Sequence, residues 1–420
     1  MDDFRANHRR AFLRNAAMTA GGLLLAGTAD AATTADGKPA EILNVQSFGA
    51  VGDGKHDDTS AFERAIKQAR GSGATVMAPR AVYRITRPLH LSNQLMVGQI
   101  AGGWAADSIP MPILQIEQVD SPAIVMEAFS SLHGLAIVYP VNATFPSKNP
   151  PPAISLAGGG PTISSVRIQY AYDGIITAPG ATPGRSRLFD IFMVEPHHTG
   201  LYLTRSYDVS QLHNIEIWCN GAMATGAGFQ FGRNDDCALT DLFAFNCQIG
   251  YLFETDKQPG GGTFYGSLSN CSTDFCSRGC VIRGDHRINL STSDLVDHFT
   301  SLDIDGSEAS VRMSNCHIQT NGSPAVLSRS CANLSINNCW FTRAFPKSEH
   351  HFIRADHCGS FTVTSCQFDA SSPGVLLGSG VKRAVVANNI FESQQPAITN
   401  QMPPSARSAI QNNIGPSAAS

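Results

Sequence analysis

The fold is decided by a short apolar motif that recurs along the chain as Gly174-Ile-Ile-Thr, Gly200-Leu-Tyr-Leu, Gly228-Phe-Gln-Phe, Gly250-Tyr-Leu-Phe, Gly279-Cys-Val-Ile, Ser301-Leu-Asp-Ile and later Gly374-Val-Leu-Leu. The first six copies restart roughly every 22 to 29 residues, a period typical of solenoids, in which no repeat buries its apolar face alone. Each repeat contains short strands and turns without helical periodicity. The pattern therefore predicts an all-β fold, a parallel β-helix of about ten to twelve coils.

Cysteines that follow small polar residues give a second register signal. They are Cys247, Cys271, Cys316, Cys339 and Cys366, with Asn388-Asn389 in the same place one coil later. Small side chains stacked from coil to coil can fill a narrow interior and bond to the turn backbone. Because paired Cys-x-x-Cys motifs are absent from the sequence, we interpret these cysteines as buried free thiols rather than disulfides or zinc ligands.

Composition fits a single solenoid domain. The 420 residues are 42% hydrophobic and only 15% charged, which suits a strand-rich chain better than a helical enzyme. The formal net charge of −4 is mild, so neither nucleic acid nor an anionic membrane surface is indicated as a partner. We predict one β-helix domain at residues 42–400 and a flexible tail at residues 401–420, while the oligomeric state stays open.

The N-terminus has the parts of an export signal. The basic stretch Arg9-Arg10-Ala-Phe-Leu-Arg, an apolar run from Ala16 to Gly27 and the small residues Ala29-Asp-Ala31 follow one another. The run is too short to span a membrane. The Arg-Arg-x-Phe-Leu core resembles a bacterial twin-arginine signal, and an ordinary secretory signal is the alternative. We expect a signal peptide at residues 1–31, a linker at residues 32–41, and a periplasmic or secreted bacterial protein.

The start of the predicted domain carries a family resemblance. It combines Asn44-Val, Phe48-Gly-Ala-Val-Gly-Asp-Gly and Asp57-Asp-Thr-Ser-Ala-Phe. This combination resembles the first segment of the pectate-lyase-like superfamily, which includes rhamnogalacturonase- and polygalacturonase-related proteins and many phage tailspikes. The resemblance implies a right-handed parallel β-helix that acts on polysaccharide. It does not choose among hydrolases, lyases, epimerases and non-catalytic members.

A helix is predicted directly after this motif. Its apolar stripe at helical spacing consists of Phe62, Ala65, Ile66 and Ala69. Such a helix can cover the open end of a solenoid, where the first coil exposes apolar side chains and an unpaired edge. We interpret Asp57-Asp58 as structural, serving as an N-terminal cap and turn.

Alternation along the first strand of each repeat predicts one column of candidate catalytic residues. The outward positions are Tyr202, Gln230, Leu252, Val281 and Asp303, followed two residues on by Thr204, Gly232, Glu254, Arg283 and Asp305. Coils about 4.8 Å apart stack Glu254, Arg283 and Asp305 as acid, base, acid. Glycoside hydrolysis needs two carboxylates, about 5 Å apart for retention or roughly 6.5–9.5 Å for inversion. The alternative is an exposed salt-bridge ladder.

A second candidate cluster lies in one turn of two successive coils and contains Asp208, Arg233, Asp235 and Asp236. Gly- and Pro-rich insertions at residues 179–184 and 258–262 are expected to wall in a groove there. Asn234-Asp-Asp-Cys resembles a polygalacturonase motif, but that family's Gly-His-Gly and Arg-Ile-Lys elements are missing. The alternative is a polar turn with Cys237 pointing inward.

Further candidates concern ligands. Tyr202, Gln230, Arg233 and Trp218 are candidate substrate-binding residues. Trp218 can stack on a sugar ring if it points outward, and the alternative is that it wedges between a loop and the solenoid. The histidine clusters at residues 195–198 and 349–357 lack metal-ligand spacing, so we expect no metal and no other cofactor. If the protein is a lyase, Ca²⁺ held by Asp208, Asp235 or Asp236 is the natural cofactor.

The leading prediction is an exported polysaccharide-active enzyme, a glycoside hydrolase with paired carboxylates. A lyase acting on a uronate polymer is the first alternative, and it would depend on Arg205, Arg233 or Arg283, because lysine is nearly absent from the central coils. The second alternative is a non-catalytic carbohydrate-binding or envelope-structural β-helix.

Overall fold

The structure is a computed structural model that describes residues 41–99, 110–221, 223–321, 324–343, 348–393 and 395–416. The predicted export signal at residues 1–31 and nearly all of the predicted linker lie outside the described residues.

Strands dominate the described part of the chain, which also contains a 3₁₀ helix (Val45–Phe48) and one α-helix, α1 (Thr59–Ser72). The strands are β1 (Ile42–Asn44), β2 (Asp53–Asp57), β3 (Thr75–Ala78), β4 (Val82–Ile85), β5 (Leu89–Leu91), β6 (Leu95–Gly98), β7 (Ile113–Ile116), β8 (Ile124–Met126), β9 (Ser131–His133), β10 (Ala136–Val138), β11 (Pro152–Leu156), β12 (Thr162–Gln169), β13 (Asp173–Thr177), β14 (Arg187–Val194), β15 (Leu201–Leu203), β16 (Gln211–Trp218), β17 (Ala224–Phe231), β18 (Asn234–Phe245), β19 (Cys247–Glu254), β20 (Phe264–Ser269), β21 (Ser272–Cys276), β22 (Arg278–Arg283), β23 (Arg287–Ser291), β24 (Asp294–Asp297), β25 (Leu302–Asp305), β26 (Ser310–Ser314), β27 (His317–Thr320), β28 (Val326–Asn337), β29 (Trp340–Arg343), β30 (Ile353–Thr364), β31 (Gln367–Phe368), β32 (Val375–Val381), β33 (Arg383–Ala387), β34 (Ile390–Phe391), β35 (Ile398–Asn400) and β36 (Arg407–Gln411).

These strands wind into a parallel β-solenoid of about 14 turns, a few more than the sequence predicted. Each complete turn adds a strand, or part of one, to each of three faces, since long strands such as β14 and β18 continue around a corner. The first face runs from β1 through β3 and β6 to β33 and β36, and the second runs from β4 through β7 and β10 to β31 and β34. The third face runs from β5 through β13, β15, β17, β19, β22 and β25 to β35.

Inward side chains stack from coil to coil to form the core. Phe229 stacks on Tyr251 with ring centroids 5.2 Å apart, and Phe368 stacks on Phe341 at 4.7 Å and on Phe391 at 4.6 Å. A fully buried side chain of this size stabilises the fold by roughly 1.5–3 kcal/mol. The predicted inward positions of the repeated motif are therefore confirmed as the core.

The corner between the first and second faces has its own backbone signature. One non-glycine residue with positive φ stands there in each of eleven coils, namely Ser165, Asp190, Asn214, Asp241, Asn270, Thr292, Asn315, Asn338, Ser365, Asn388 and Asn412. Asn and Asp tolerate this left-handed conformation better than other side chains. Their side chains also bond along the axis, since the Asn338 amide donates to Asn315 Oδ1 at 2.7 Å.

All eleven cysteines are buried, but they form more than one column. Cys271, Cys316, Cys339 and Cys366 follow the corner residues just described, as predicted. Cys247 does not lie in that column. It lies at the corner between the second and third faces, where it interacts with Cys219 and Cys276. The Asn-Cys pair fits both corners, because each corner needs a left-handed residue followed by a small inward-pointing residue. Asn246, which precedes Cys247, also has a positive φ of 56°.

Helix α1 covers the N-terminal end of the solenoid core. The two aspartates that precede it have a structural role, as we interpreted them from the sequence. Asp57 Oδ1 accepts from the Thr59 amide at 3.0 Å, and Asp58 accepts from the Val51 amide at 2.6 Å. At the other end β36 pairs with β33, so the solenoid continues beyond residue 400, where the sequence predicted a flexible tail. Within the described residues, no helix is long and apolar enough to cross a membrane.

Candidate functional site

The third face holds most of the predicted site residues in the predicted register. Tyr202 pairs with Gln230, Gln230 with Leu252, Leu252 with Val281, and Val281 with Asp303. Because the interior is filled by their neighbours in sequence, such as Leu203 and Phe231, these side chains point away from the core.

A second row lies two residues further along the same strands. Glu254 pairs with Arg283, and Arg283 pairs with Asp305, so the predicted acid, base, acid order is present. Both carboxylates are exposed. The two acids are separated by two inter-strand spacings, about 10 Å between backbones, and side-chain rotation can bring the carboxyl groups closer.

Asp303 differs from the prediction, which treated it as an exposed catalytic acid. The residue is only 2% exposed. Arg283 Nη2 lies 2.7 Å and Arg329 Nε 3.2 Å from its carboxylate, and Arg278 Nη1 lies 3.7 Å away. The alternation rule gives the direction of a side chain but not what covers it, and here three arginines cover Asp303. Its carboxylate is therefore engaged as the anchor of an arginine cluster.

The second predicted cluster is brought together at the turn that follows the third face. Ser206 forms a bridge with Asn234, so the two turns stack as predicted. Asp208 pairs with Arg185 at 3.1 Å, and Asp235 pairs with Arg233 at 3.4 Å. Asp236 is exposed and has φ 56°.

A buried ion pair lies beneath this turn, and it was not predicted from the sequence. Arg205 Nη1 donates to Asp256 Oδ2 at 2.6 Å, and both side chains are at most 5% exposed. The same guanidinium donates to the carbonyls of Ala181 and Ala178. Arg205 thus joins the two insertions that were expected to wall a groove. The partners lie 51 residues apart, a separation that no local pattern reveals.

The insertion at residues 258–262 also folds onto the turn. The Tyr207 hydroxyl donates to the Gly260 carbonyl at 2.6 Å, and the Arg233 guanidinium lies over the Tyr207 ring, 4.5 Å from its centroid. Arg233 is therefore held by a cation–π contact as well as by Asp235. This arrangement places a loop wall beside the two stacked turns.

Tyr202 lies near one acid of the predicted row and near the buried Asp256. Burial is the main reason that the pKa of Tyr202 is raised, and the nearby carboxylates of Asp256 and Glu254 raise it further. Its hydroxyl therefore stays protonated and can donate a hydrogen bond near neutral pH.

Trp218 is not brought to this surface. It ends β16 on the second face, where its indole stacks on Phe245 with centroids 4.7 Å apart and donates to Glu216 at 3.2 Å. The candidate substrate-binding set is therefore divided, with Tyr202, Gln230 and Arg233 on the third face or its turn.

An Asp–His pair at the N-terminal edge of the third face also escaped prediction. His198 Nδ1 lies 2.9 Å from Asp173 Oδ1, and the Tyr172 ring stacks on the imidazole at 5.4 Å. The hydrogen bond to Asp173 raises the pKa of His198 despite partial burial. The sequence signal was available in Tyr172-Asp173 and His197-His198, which lie one coil apart.

No metal cluster accompanies these groups. Among the described residues, no three His, Cys, Asp or Glu side chains converge in a way that could hold a metal ion. Asp208 and Asp235, considered above as calcium ligands for a lyase, each face an arginine.

The described strands form a parallel β-solenoid, and the comparison with protein families matches its N-terminal part. Residues 42–105 match the family model described as rhamnogalacturonase A/epimerase, pectate lyase-like, which confirms the resemblance predicted from the motif. No curated protein matches the sequence.

Solved structures with the same architecture come from bacteria and phages. The mannuronan C-5 epimerase AlgE6 A-module of Azotobacter vinelandii is 14% identical, with a TM-score of 0.59, covering 89% of this chain and 99% of that one. An N-terminal fragment of bacteriophage phi29 gene product 12 is 15% identical, with a TM-score of 0.62, covering 90% and 72%. The tailspike of E. coli bacteriophage HK620 is 10% identical, with a TM-score of 0.56, covering 85% and 66%. At these identities the likeness establishes the fold.

Proposed function

We propose that this protein is a polysaccharide-active enzyme, a glycoside hydrolase whose third face holds the sugar chain across Glu254 and Asp305. The observation that carries the proposal is the strand pairing, which places these two exposed acids on alternate coils with Arg283 on the coil between them. Backbones about 10 Å apart can bring carboxyl groups within the roughly 6.5–9.5 Å that suits an inverting hydrolase.

In the proposed reaction one carboxyl group protonates the leaving oxygen of the glycosidic bond. The other carboxylate deprotonates a water molecule that attacks the anomeric carbon from the opposite face of the sugar. Tyr202 is placed to donate a hydrogen bond to a sugar hydroxyl on the same surface. The Arg283 guanidinium, held by Asp303, is positioned to bind a substrate oxygen between the two acids.

Two of the structural neighbours support a carbohydrate substrate. One is named as a mannuronan epimerase, and the other is a tailspike in complex with a pentasaccharide. We extend that substrate class to this protein as part of the proposal.

A lyase is the second candidate, because three guanidinium groups converge at Asp303. An arginine can bind the carboxylate of a uronate chain and can stabilise the enolate formed in β-elimination.

One experiment separates these reactions. The protein without residues 1–31 is incubated with neutral and acidic polysaccharides, and reducing ends are followed together with the ultraviolet absorbance of an unsaturated uronate. New reducing ends without absorbance support the hydrolase, whereas both signals rising together support the lyase. If neither signal rises on any polymer of the panel, both enzyme proposals fail.

We further propose export through the twin-arginine route, because Arg9-Arg10 precedes Phe12-Leu13 and a short apolar run. Replacing both arginines with lysine is expected to leave the precursor in the cytoplasm of a bacterial host. Normal export of that variant would instead indicate an ordinary secretory signal.

A further inference from the structure

An open groove with a volume of about 590 Å³ runs along the corner between the first and second faces. We call it the corner groove. It crosses five consecutive coils, from Thr292 to Ile390, and lies at the left-handed corner residues rather than on the third face. The proposed hydrolase site does not use it.

The groove contains an exposed aromatic platform. Trp340 is 50% exposed although it lies on a strand. Its indole stacks on the His317 imidazole one coil below, with ring centroids 4.7 Å apart and an interplanar angle of 26°. An aromatic side chain this exposed leaves apolar ring surface in contact with water.

The platform is held in place by polar contacts. His317 Nε2 lies 2.9 Å from Thr342 Oγ1, and Nδ1 lies 3.4 Å from Asp294 Oδ1. With both ring nitrogens in contact with oxygen atoms, the imidazole has a defined orientation and fixes the face on which Trp340 rests. A pre-ordered aromatic ring loses little conformational entropy when it binds a ligand.

The rest of the lining combines side-chain amides with apolar groups and carries little charge. Side-chain amides of Asn315, Asn338, Gln367 and Asn388 line the groove at successive coils, beside the exposed Ile390. Among the described residues that line it, none is Lys or Arg, and Asp294 is the one carboxylate. Asn338 donates to Asn315 and Gln367 donates to Glu392, and the remaining amide donors and acceptors match sugar hydroxyls, whereas Asp294 repels an anionic sugar.

We propose that the corner groove binds a neutral polysaccharide chain, with one sugar ring packed against Trp340 and neighbouring hydroxyls bonded to the amide column. The coil spacing of about 4.8 Å presents amides periodically along the groove, as an extended polymer requires. The inference builds on the proposed function by giving it a second attachment surface, separate from the acids on the third face.

The test is affinity electrophoresis of the protein without residues 1–31 in gels that contain dextran, soluble starch or polygalacturonate. The native protein is expected to be retarded by at least one neutral polymer. Trp340→Ala is expected to weaken that binding about tenfold, which corresponds to about 1.4 kcal/mol. Trp340→Phe is expected to weaken it less, because it keeps an aromatic ring at this position. Tyr265→Ala is the matched control, because Tyr265 is 52% exposed on another strand, outside the groove.

Two results would overturn the inference. Equal retardation of native protein and Trp340→Ala would show that the groove is not the binding surface. Retardation by polygalacturonate alone, or by none of the three polymers, would exclude a neutral polysaccharide ligand. The double variant Glu254→Gln/Asp305→Asn separates this inference from the hydrolase, because it is expected to keep the Trp340-dependent retardation while losing turnover. If the native protein shows that retardation but no turnover, the groove is kept and the hydrolase is rejected.

Discussion

Glu254 and Asp305 lie on alternate coils of the third face, and Arg283 pairs with both in the strand register between them. Parallel pairing fixes this order, because a slip by one residue would move every side chain to the other side of the sheet. In the proposed hydrolase these two acids are the catalytic pair for a glycosidic bond that lies across the face.

Loss of either carboxylate therefore tests the hydrolase directly. Glu254→Gln and Asp305→Asn are each expected to lower kcat by about 10²–10⁴-fold, because each removes a proton-transfer group. The measurement is release of reducing ends from the polymer that the native protein cleaves. Glu117→Gln is the control, an exposed glutamate paired with Arg84 on another face. Unchanged kcat in both site variants would contradict the assignment.

Asp303 is expected to matter for stability more than for chemistry. Asp303→Asn removes the charge that three arginines share, and we expect a loss of about 1–3 kcal/mol in the free energy of unfolding, since the arginines are partly exposed. Asp305→Asn, two residues along the same strand, is expected to change stability by less than about 0.5 kcal/mol. Urea unfolding of the two variants measures the difference, and equal losses would contradict the anchoring role.

The Asp173–His198 pair predicts a pH dependence of stability. Because the hydrogen bond to Asp173 raises the pKa of His198 above its ordinary value of 6.5, the folded state gains stability that is fully present below pH 6.5. That gain is lost as the pH rises through the raised pKa of the folded state. Asp173→Asn is expected to remove the part of the stability that depends on pH through His198. The loss of its contact with the Thr199 amide changes the stability by an amount that does not depend on pH.

Thermal unfolding tests this pH dependence of stability. The Tm of the native protein and of Asp173→Asn is compared below pH 6.5 and at alkaline pH. The difference in Tm between the two proteins is expected to shrink toward alkaline pH. A difference that stays constant across this range would mean that Asp173 does not favour the protonated form of His198. His198→Gln, which keeps a hydrogen-bonding side chain without the charge, is expected to behave like Asp173→Asn.

The regular part of the fold follows from local patterns in the sequence. Alternation along the repeated motif places Phe229 and Tyr251 in the core and Glu254, Arg283 and Asp305 outside, and the structure agrees with these positions. The helix at residues 59–72 follows in the same way from its apolar stripe. Such features depend on neighbours in the chain or on one fixed coil period.

What the sequence missed depends on contacts between distant segments. Asp303 is buried because Arg278, Arg283 and Arg329 from neighbouring coils cover it, although the alternation pattern leaves it facing solvent. Trp218 was a candidate for stacking on a sugar ring, but a corner separates its face from that of Tyr202. Corners are set by single left-handed residues, which the repeat period alone does not locate.

The buried pair of Arg205 and Asp256 is expected to hold the wall of the third-face site. Arg205 bonds to one insertion through two carbonyls, and Asp256 lies beside the other and also accepts from Thr204 Oγ1 at 2.6 Å. Removing one partner of a buried pair typically costs about 3–5 kcal/mol, because the other charge is left without compensation. Arg205→Ala should therefore lower stability by an amount in this range.

Arg205→Lys keeps the charge but has one nitrogen where the guanidinium has three, so it cannot reproduce the bonds to both carbonyls. We expect it to fold and to show faster proteolytic cleavage within residues 179–184 or 258–262, read by mass spectrometry of the fragments. Arg185→Ala is the matched control, since Arg185 and Asp208 form an exposed pair between neighbouring coils that is worth at most about 1 kcal/mol. Cleavage in Arg205→Lys no faster than in Arg185→Ala would mean that the insertions hold their positions without the buried pair.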